Sequence, residues 1–412
     1  MIHISPDVAG PDPVLLVIET EGADEISTEA RANGWTPVFV RTDAYAGWLS
    51  AADPGVGEIV HEPAPDFHRL YQIAVRRGVQ AVLPISLLEP GSLRDALLRD
   101  LAERMKAPFR VVANQPSAVE LAFDKALTKR VLADAGFRSI PGVVADSREE
   151  LLAAVERFGL PLVAKPRRDF TGKGFRIFQT HGEVEAYLRK CRVQDLLVEP
   201  FMEGSELSLE LVRWDGACVA QPVVYKGETR LNHLEHPVYR PRLSPWRRGT
   251  ELERQVVGTG RAMADALGLE GACELEFVVA DGVPHLMEIN PRVSGVTRLC
   301  SAGGGSSTFR QLARVAMGLP LRDEPARGGI AVNLPIVVCT RDERVTRLSA
   351  HPSVKHVKRI DWMPNLPIKG SLLLEAPSLG DLQRVIAELE HLSSTAYLDE
   401  MHATLAAQYV AG

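Results

Sequence analysis

The sequence predicts a mixed α/β and α+β protein of several domains. Its 412 residues are enough for two to four domains, and 45% of them are hydrophobic, so each domain can have a buried core. The first hundred residues alternate short apolar runs with helical patterns, which is typical of a parallel sheet covered by helices. A long segment after residue 200 is instead rich in strand patterns.

The N-terminal segment, residues 1–113, is predicted to form a Rossmann-like α/β domain. Its predicted strands and helices alternate along the chain, with strands near 14–19, 37–41 and 79–84 and helices near 24–33, 65–77 and 92–105. The first strand is followed by Glu19-Thr20-Glu21-Gly22, so the GxGxxG fingerprint of dinucleotide binding is absent. The fold of this domain therefore does not indicate its function.

Two further segments follow. Residues 114–327 are predicted to open with one helix from Pro116 to Ala135, to continue in a small α/β unit at about 141–198, and then to run as strands to about residue 300. A helix is predicted from Thr308 to Met317. The tail, residues 328–412, is expected to contain strands and one helix at about 382–392.

A predicted β-hairpin near residue 280 has acidic side chains on one face. Side chains alternate between the faces of a strand, so Glu274 and Glu276 share one face, and Glu288 and Asn290 share a face of the returning strand. A tight turn at Asp281-Gly282 would set Glu276 opposite Glu288, and Glu274 opposite Asn290. The apolar residues between them would face a core.

Two carboxylates and an amide on one face are the oxygen ligands that suit magnesium bound together with phosphates. A solvated sheet face with chance charges is the alternative. The residues Pro291-Arg292 and Ser294-Gly295, which follow at once, favour a functional site.

Composition narrows the class of protein. The net charge of −6 argues against nucleic acid or an anionic membrane as the main partner, although local basic clusters remain compatible with small anionic ligands. The five cysteines have no metal-binding spacing, and we find neither a signal peptide nor an apolar run of spanning length. These features predict a cytoplasmic, soluble protein.

Basic residues precede the hairpin. The loop Lys165–Gly174 follows a strand and could surround phosphate oxygens, but it lacks the Walker spacing, and an exposed basic hairpin is the alternative. Lys125 and Lys129 share a helix face, for which a solvated charged face is the alternative. Glu199 and Glu206, taken singly, are compatible with ordinary surface positions.

Taken together and in this order, the segments resemble the ATP-grasp superfamily from about Lys125 to Arg292. In that family two α+β lobes hold ATP between them. The resemblance implies that the N-terminal domain is a pre-ATP-grasp domain, that residues 141–198 form a small lid subdomain, and that the tail is a C-terminal lobe. It also implies ATP and Mg²⁺, with Mn²⁺ as a substitute, as cofactors.

The resemblance further implies site residues. Lys125 and Lys165 match the two lysines that hold phosphates, Glu199 the hinge acid near adenine, and Glu206 the ribose acceptor. Other implied nucleotide contacts lie in the lid loop and the hinge, at Thr171, Gly172, Lys173, Gly174, Pro200 and Phe201. The implied metal ligands are Glu276, Glu288 and Asn290. The implied catalytic residues are Arg292, which faces the transferred phosphoryl group, with Lys165 and Glu288. The run Arg167–Phe170 departs from the more glycine-rich loop of many members.

The substrate is less clearly indicated. The segment 226–242 lacks periodicity, and related ligases use the equivalent loop to line the substrate site, so His233, His236 and Arg240 are candidates for binding an anionic substrate. An exposed, proline-stiffened loop is one alternative, and a zinc pair at the two histidines is another. Arg298 is a further candidate for binding a substrate carboxylate.

The resemblance is strongest to ligases that join amino acids and to domains of the carbamoyl-phosphate-synthetase type. It implies a carboxylate–amine ligase that forms an amide through an acylphosphate and releases ADP and phosphate. The expected partners are therefore a small carboxylate and an amine, and family members of this kind imply a homodimer. Open alternatives are a bicarbonate-activating carboxylase-like enzyme, a kinase that phosphorylates a hydroxyl, and a non-catalytic ATP-binding protein.

Overall fold

The computed structural model describes residues 12–43, 57–168, 174–229, 231, 240–323, 328–339, 343–348, 350–359 and 368–409. Within these ranges the chain forms three sheets with helices packed against them. One sheet is parallel and the other two are antiparallel, which confirms the predicted mixed α/β and α+β class.

The N-terminal sheet is parallel, as predicted. Its five strands are β1 Val14–Ile18, β2 Thr36–Arg41, β3 Glu58–His61, β4 Ala81–Pro84 and β5 Arg110–Val111, in the order β3-β2-β1-β4-β5. Its helices are α1 Ala23–Ala32, α2 Phe67–Arg76 and α3 Glu89–Arg104. The central strand β1 is apolar throughout because helices cover both faces of the sheet. The short strands β3 and β5 are absent from the sequence prediction.

The prediction of one helix from Pro116 to Ala135 is wrong. The structure has two helices, α4 Pro116–Phe123 and α5 Lys125–Asp134, which are separated at Asp124. The Asp124 carboxylate accepts a hydrogen bond from the Leu127 N–H at 3.0 Å, which caps the second helix. Lys125 therefore lies in the first turn of α5.

A small antiparallel sheet corresponds to the predicted lid region. Its strands are β6 Val143–Ala145, β7 Leu162–Pro166, β8 Arg176–Phe178 and β9 Leu196–Pro200, in the order β6-β9-β7-β8. Two helices pack on it, α6 Arg148–Phe158 and α7 His181–Lys190. Ser147 caps α6, and a capping box of Thr180 and Glu183 begins α7. Neighbouring residues in the sequence therefore determine where both helices begin.

The large sheet has nine strands in the described part of the chain. They are β10 Gly204–Trp214, β11 Ala217–Ala220, β12 Val224–Thr229, β13 Arg242–Ser244, β14 Gly271–Ala280, β15 Val283–Asn290, β16 Ile330–Ile336, β17 Val354–Arg359 and β18 Gly370–Ala376. The order is β15-β14-β10-β12-β13-β16-β18-β17, with β11 beside β10. The tail strands β16–β18 thus continue this sheet, while the predicted domain boundary at residue 328 stays a prediction.

Helices interrupt the segments that we predicted as strands. The helices after β13 are α8 Glu251–Ala266, α9 Thr297–Ala302, α10 Thr308–Ala316, α11 Glu343–Leu348, α12 Leu379–Leu389 and α13 Thr395–Tyr409. The predicted β-rich stretch to about residue 300 contains strands β10–β15 but also helix α8, which the prediction did not include, and the prediction of a single tail helix is wrong. Over the residues that the structure describes, no helix combines the length and the apolar character that crossing a bilayer requires.

Candidate functional site

The hairpin of β14 and β15 has the predicted register. Glu276 is paired with Glu288, and Glu274 with Asn290. The turn residues Asp281 and Gly282 have φ values of 50° and 74°, as a type I′ turn requires. The predicted juxtaposition of the acidic residues is confirmed.

The same hairpin faces a core on its other side. A bulge follows Glu276, so that Phe277 pairs with Leu286. Phe277, Leu286 and Ile289 all lie in the hydrophobic cluster of the large sheet. This apolar packing holds the acidic face in place.

The carboxylates on the acidic face lie close enough to disfavour one another's charged forms. Burial, together with the nearby Glu274, Glu288 and Glu206, raises the pKa of Glu276 to about 7, although Lys226 opposes the change. A second cation at this place would stabilise the charged form of the carboxylate.

The donor set fits a magnesium ion that is bound with phosphates. No group of three or more His, Cys, Asp or Glu side chains in the described ranges is placed to hold a metal by itself. Two facing carboxylates and the Asn290 amide would leave coordination positions for phosphate oxygens, as Mg²⁺ commonly requires. The Asn290 amide nitrogen donates to Glu274 at 3.0 Å, which leaves its oxygen directed away from that carboxylate.

Three lysines meet two carboxylates beside the hairpin. The Nζ atoms of Lys129 and Lys165 lie 2.6 Å and 2.9 Å from the Glu199 carboxylate. The Nζ atom of Lys125 lies 3.8 Å from Glu288. All three lysines are buried, so the alternative of a solvated charged face for Lys125 and Lys129 is wrong. Three buried ammonium ions beside one buried and one half-buried carboxylate suit an anionic ligand.

Burial sets the charge states within this group. Burial, together with the nearby Lys165, lowers the pKa of Lys129 to about 8, although Glu199 opposes the change. Burial would raise the pKa of Glu199, but the two lysines hold it below its usual range. Glu199 is thus an ionised carboxylate enclosed by cations. Its role as the hinge acid near adenine stays a prediction.

Asp124 links the start of α5 to the basic loop. Its carboxylate binds Arg167 and also accepts from Arg168 Nη2 at 2.9 Å. These contacts hold the pKa of Asp124 at about 2, against the effect of its burial. The predicted loop residues Asp169, Phe170, Thr171, Gly172 and Lys173 lie outside the described residues, whereas Gly174 is described and has a φ of 80°.

The hinge after β9 borders an open groove. Phe201 and Met202 line it on one side, and the tip of the β14–β15 hairpin lines it on the other. Its volume is about 520 Å³, and Arg138 and His285 complete its walls. The predicted nucleotide-binding backbone at Pro200-Phe201 is therefore accessible to a ligand.

Lys226 is a site residue that the sequence prediction missed. Its Nζ lies 2.9 Å from Glu276 and 3.2 Å from Glu206. The predicted substrate residue Arg240 donates to the other oxygen of Glu206 at 2.7 Å. Both Glu206 oxygens thus contact cations, and its role as a ribose acceptor stays a prediction. Lys226 lies in β12 directly after the apolar residues Val224 and Tyr225. A lysine at that position of a strand was the sequence signal that could have indicated a site residue.

The remaining predicted substrate residues differ in their surroundings. His233 and His236 lie outside the described residues. Arg292 donates to Glu89 of α3 at 2.8 Å, at the boundary with the N-terminal domain. Arg298 contacts the start of α1 through Glu21 at 2.6 Å and Glu25 at 3.3 Å. Both arginines therefore contact carboxylates of the N-terminal segment.

These elements define a class of protein. Residues 122–296 match the sequence model of the ATP-grasp domain. The matched range begins beside the break at Asp124 and includes the whole small sheet and the acidic hairpin. The expected resemblance is confirmed.

The amino-acid sequence is also similar to those of particular proteins. Carbamoyl-phosphate synthase of Methanobrevibacter smithii is 27% identical over 325 residues, which are 77% of this chain and 85% of that protein. The carbamoyl phosphate synthase large chain of Neisseria meningitidis serogroup B is 26% identical over 225 residues. That match covers 52% of this chain but only 20% of the large chain.

Solved structures show the same fold over nearly the whole chain. N5-carboxyaminoimidazole ribonucleotide synthetase from Thermus thermophilus superposes with a TM-score of 0.68 and 21% identity, covering 92% of this chain and 98% of that one. An L-amino acid ligase from Bacillus licheniformis has a TM-score of 0.69 and 19% identity, with coverages of 93% and 98%. The biotin carboxylase domain of Hydrogenobacter thermophilus 2-oxoglutarate carboxylase, in complex with MgADP and bicarbonate, has a TM-score of 0.69 and 16% identity, with coverages of 93% and 91%. These similarities show the fold.

Proposed function

We propose that the protein is an ATP-dependent ligase that joins a carboxylate to an amine, with ATP and Mg²⁺ as cofactors. The observation that carries this proposal is the approach of Lys125, Lys129 and Lys165 to the carboxylates of Glu199 and Glu288, opposite Glu276. Buried cations beside a pair of acids are the arrangement that a polyphosphate with a divalent ion requires. The groove at Phe201 has the size of a small-ligand site and would accept the base.

The chemistry follows from charge. A carboxylate and ATP repel each other, and the lysines would offset this by neutralising the charge that spreads over the phosphoryl oxygens. A magnesium ion held by Glu276, Glu288 and Asn290 would neutralise part of the remaining charge. Arg292 would exchange Glu89 for the substrate carboxylate and orient it for attack on the γ-phosphorus of ATP. The products of this step are an acylphosphate and ADP.

The second step forms the amide. An amine would displace phosphate from the acylphosphate, and water must be excluded because acylphosphates hydrolyse readily. Asp124 holds Arg167 and Arg168, which directly precede the predicted lid loop, so this end of the predicted loop is tied to the helix that carries Lys125. This link would couple closure of the loop to the position of the phosphate-binding lysine.

A phosphate-release screen over pairs of carboxylates and amines, with mass spectrometry of the products, tests the proposal. The expected result is ADP and an amide in stoichiometric amounts, formed only when both substrates are present. A phosphorylated hydroxyl compound without an amide would identify a kinase instead. Nucleotide binding without ADP formation across the whole panel would contradict the enzymatic proposal.

Substitution Glu288→Gln tests the metal assignment. We expect ATP-dependent turnover to fall by a factor of about 100 or more, because a lost electrostatic contact of this kind raises the barrier by roughly 3 kcal/mol. The circular dichroism spectrum should be unchanged. The matched control is Glu149→Gln on the exposed face of α6, which should retain the full rate. A Glu288→Gln enzyme with a near wild-type rate would refute the assignment.

A bicarbonate-activating enzyme is the second candidate. The similarity to carbamoyl-phosphate synthase over 77% of the chain favours it. ADP formation that depends on bicarbonate, and that needs no other carboxylate, would decide for this alternative.

A further inference from the structure

Gly295 lies between two cationic side chains. A methyl group added at this glycine would lie 3.3 Å from Nη1 of Arg242 and 3.7 Å from Nζ of Lys358. The two nitrogens are therefore at most about 7 Å apart, the sum of those distances, where like charges repel. Gly295 itself is exposed, so the space beside the two cations is open to solvent.

The two cations come from distant strands of the large sheet. Arg242 of β13 pairs with Asn333, Asn333 pairs with Leu373, and Leu373 pairs with His356 of β17. Residues paired in this way share a face, and Lys358, two residues after His356, lies on it as well. The strands β13 and β17 are three spacings apart, roughly 14 Å. The two long side chains thus reach towards one another across the sheet.

No carboxylate in the described part of the chain forms an ion pair with Lys358. Within the described ranges its ammonium group makes no ion pair or hydrogen bond. Two described acids near Lys358 are engaged elsewhere, since Glu21 contacts Arg298 at 2.6 Å and Glu274 accepts from Asn290 at 3.0 Å. Burial, together with the nearby Arg242, lowers the pKa of Lys358. Among the residues that the structure describes, the ammonium group of this half-buried lysine therefore has no counter-ion.

We propose that Arg242, Lys358 and the exposed backbone of Gly295 form a subsite for an anionic group of the substrate, a carboxylate or a phosphate, other than the carboxylate that is activated. Gly295 follows Arg292 by three residues, so their Cα atoms are at most about 11 Å apart. One small molecule can therefore reach both. This inference rests on the proposed function and narrows the acid substrate to one with a second negative charge.

Three variants test the subsite. Gly295→Ala places a methyl group between the two cations, and its backbone, which is outside the left-handed region, accepts alanine. Lys358→Ala removes one cation, and Lys358→Arg retains it. The control is Lys355→Ala, which removes an exposed lysine of the same strand that pairs with Glu375 at 3.7 Å.

Calorimetric titration of the full chain provides a readout without catalysis. The probes are glutarate and 3-phosphoglycerate, which each carry two anionic groups and are called dianions here for that reason. The matched compounds with one anionic group, the monoanions, are butyrate and glycerate. We expect the dianions to bind at least tenfold more tightly than the monoanions. Gly295→Ala and Lys358→Ala should weaken dianion binding by about tenfold to a hundredfold, the range for a lost hydrogen bond to a charged group. Lys358→Arg and the control should bind like the wild type.

The outcomes separate this subsite from the ligase proposal. Equal binding of dianions and monoanions, no dianion binding at all, or unchanged binding in Gly295→Ala and Lys358→Ala would each overturn the subsite. Amide formation from a monocarboxylate in the same variants would leave the ligase proposal intact. Conversely, dianion binding without any ADP formation would support the subsite and contradict the ligase. A preference for 3-phosphoglycerate over glutarate would assign the subsite to phosphate.

Discussion

The carboxylate of Glu199 is expected to be essential for stability in the absence of nucleotide. It is 2% exposed, and it lies 2.6 Å from Lys129 Nζ and 2.9 Å from Lys165 Nζ, both of which are also buried. Substitution Glu199→Gln would retain the shape but remove the charge, leaving two buried ammonium groups without this partner. Breaking one buried pair typically costs about 3–5 kcal/mol, so we expect a loss of about 4 kcal/mol in the free energy of unfolding.

The pH dependence of Glu199→Gln gives a second test. Without the carboxylate, the pKa of each lysine in the folded state should fall: that of Lys129 further below its usual value, and that of Lys165 from the raised value to which Glu199 contributes. The unfolded state would then bind more protons than the folded state above neutral pH, and the linkage relation makes stability rise with pH in that range. The loss in the free energy of unfolding of Glu199→Gln, relative to the wild type, should therefore be smaller at pH 9 than at pH 7. The double variant Glu199→Gln/Lys129→Met should recover part of the loss.

Urea titration followed by tryptophan fluorescence measures these differences. The matched control is Glu185→Gln, which breaks an exposed pair with Arg189 at 3.6 Å and should change stability by less than about 1 kcal/mol. A loss below about 1 kcal/mol in Glu199→Gln, or a deficit that grows from pH 7 to pH 9, would refute this reasoning.

Two further predictions concern buried charges in the large sheet. Burial raises the pKa of Glu210 to about 7, against hydrogen bonds from Thr297 and Thr308, so the folded state binds the extra proton between about pH 4.5 and pH 7. Wild-type stability should fall over that range by roughly 3 kcal/mol more than that of Glu210→Gln, and parallel pH curves of urea midpoints would contradict this. Lys226→Met removes the cation 2.9 Å from Glu276, so added Mn²⁺ should raise the thermal midpoint of the variant more than that of the wild type. An equal or smaller rise in the variant would show that Lys226 and the metal do not share this carboxylate.

The hairpin was predictable because its determinants are local. The period-two pattern and the Asp281-Gly282 turn are sufficient to set Glu276 opposite Glu288. The helix break at Asp124 was not predictable in this way, because apolar periodicity continues across it. The Asp124 carboxylate at this break is held partly by Arg167, which is 43 residues away in the sequence.

Tertiary packing accounts for the missed helix α8. Its sequence contains Gly258 and Gly260, which lower helix propensity. A methyl group at Gly260 would lie 2.4 Å from the Leu209 side chain, so this glycine permits close packing of the helix on β10. The ion pairs of Lys226 with Glu276 and of Arg240 with Glu206 join residues that are far apart in the sequence. A periodic sequence pattern therefore could not predict them.

A crystal structure of the full chain with Mn²⁺ and ADP tests the central claim most directly. We predict an anomalous peak between the carboxylates of Glu276 and Glu288, with Lys125 and Lys165 in contact with the phosphates. A peak elsewhere, or the two carboxylates facing solvent without a metal, would contradict this account.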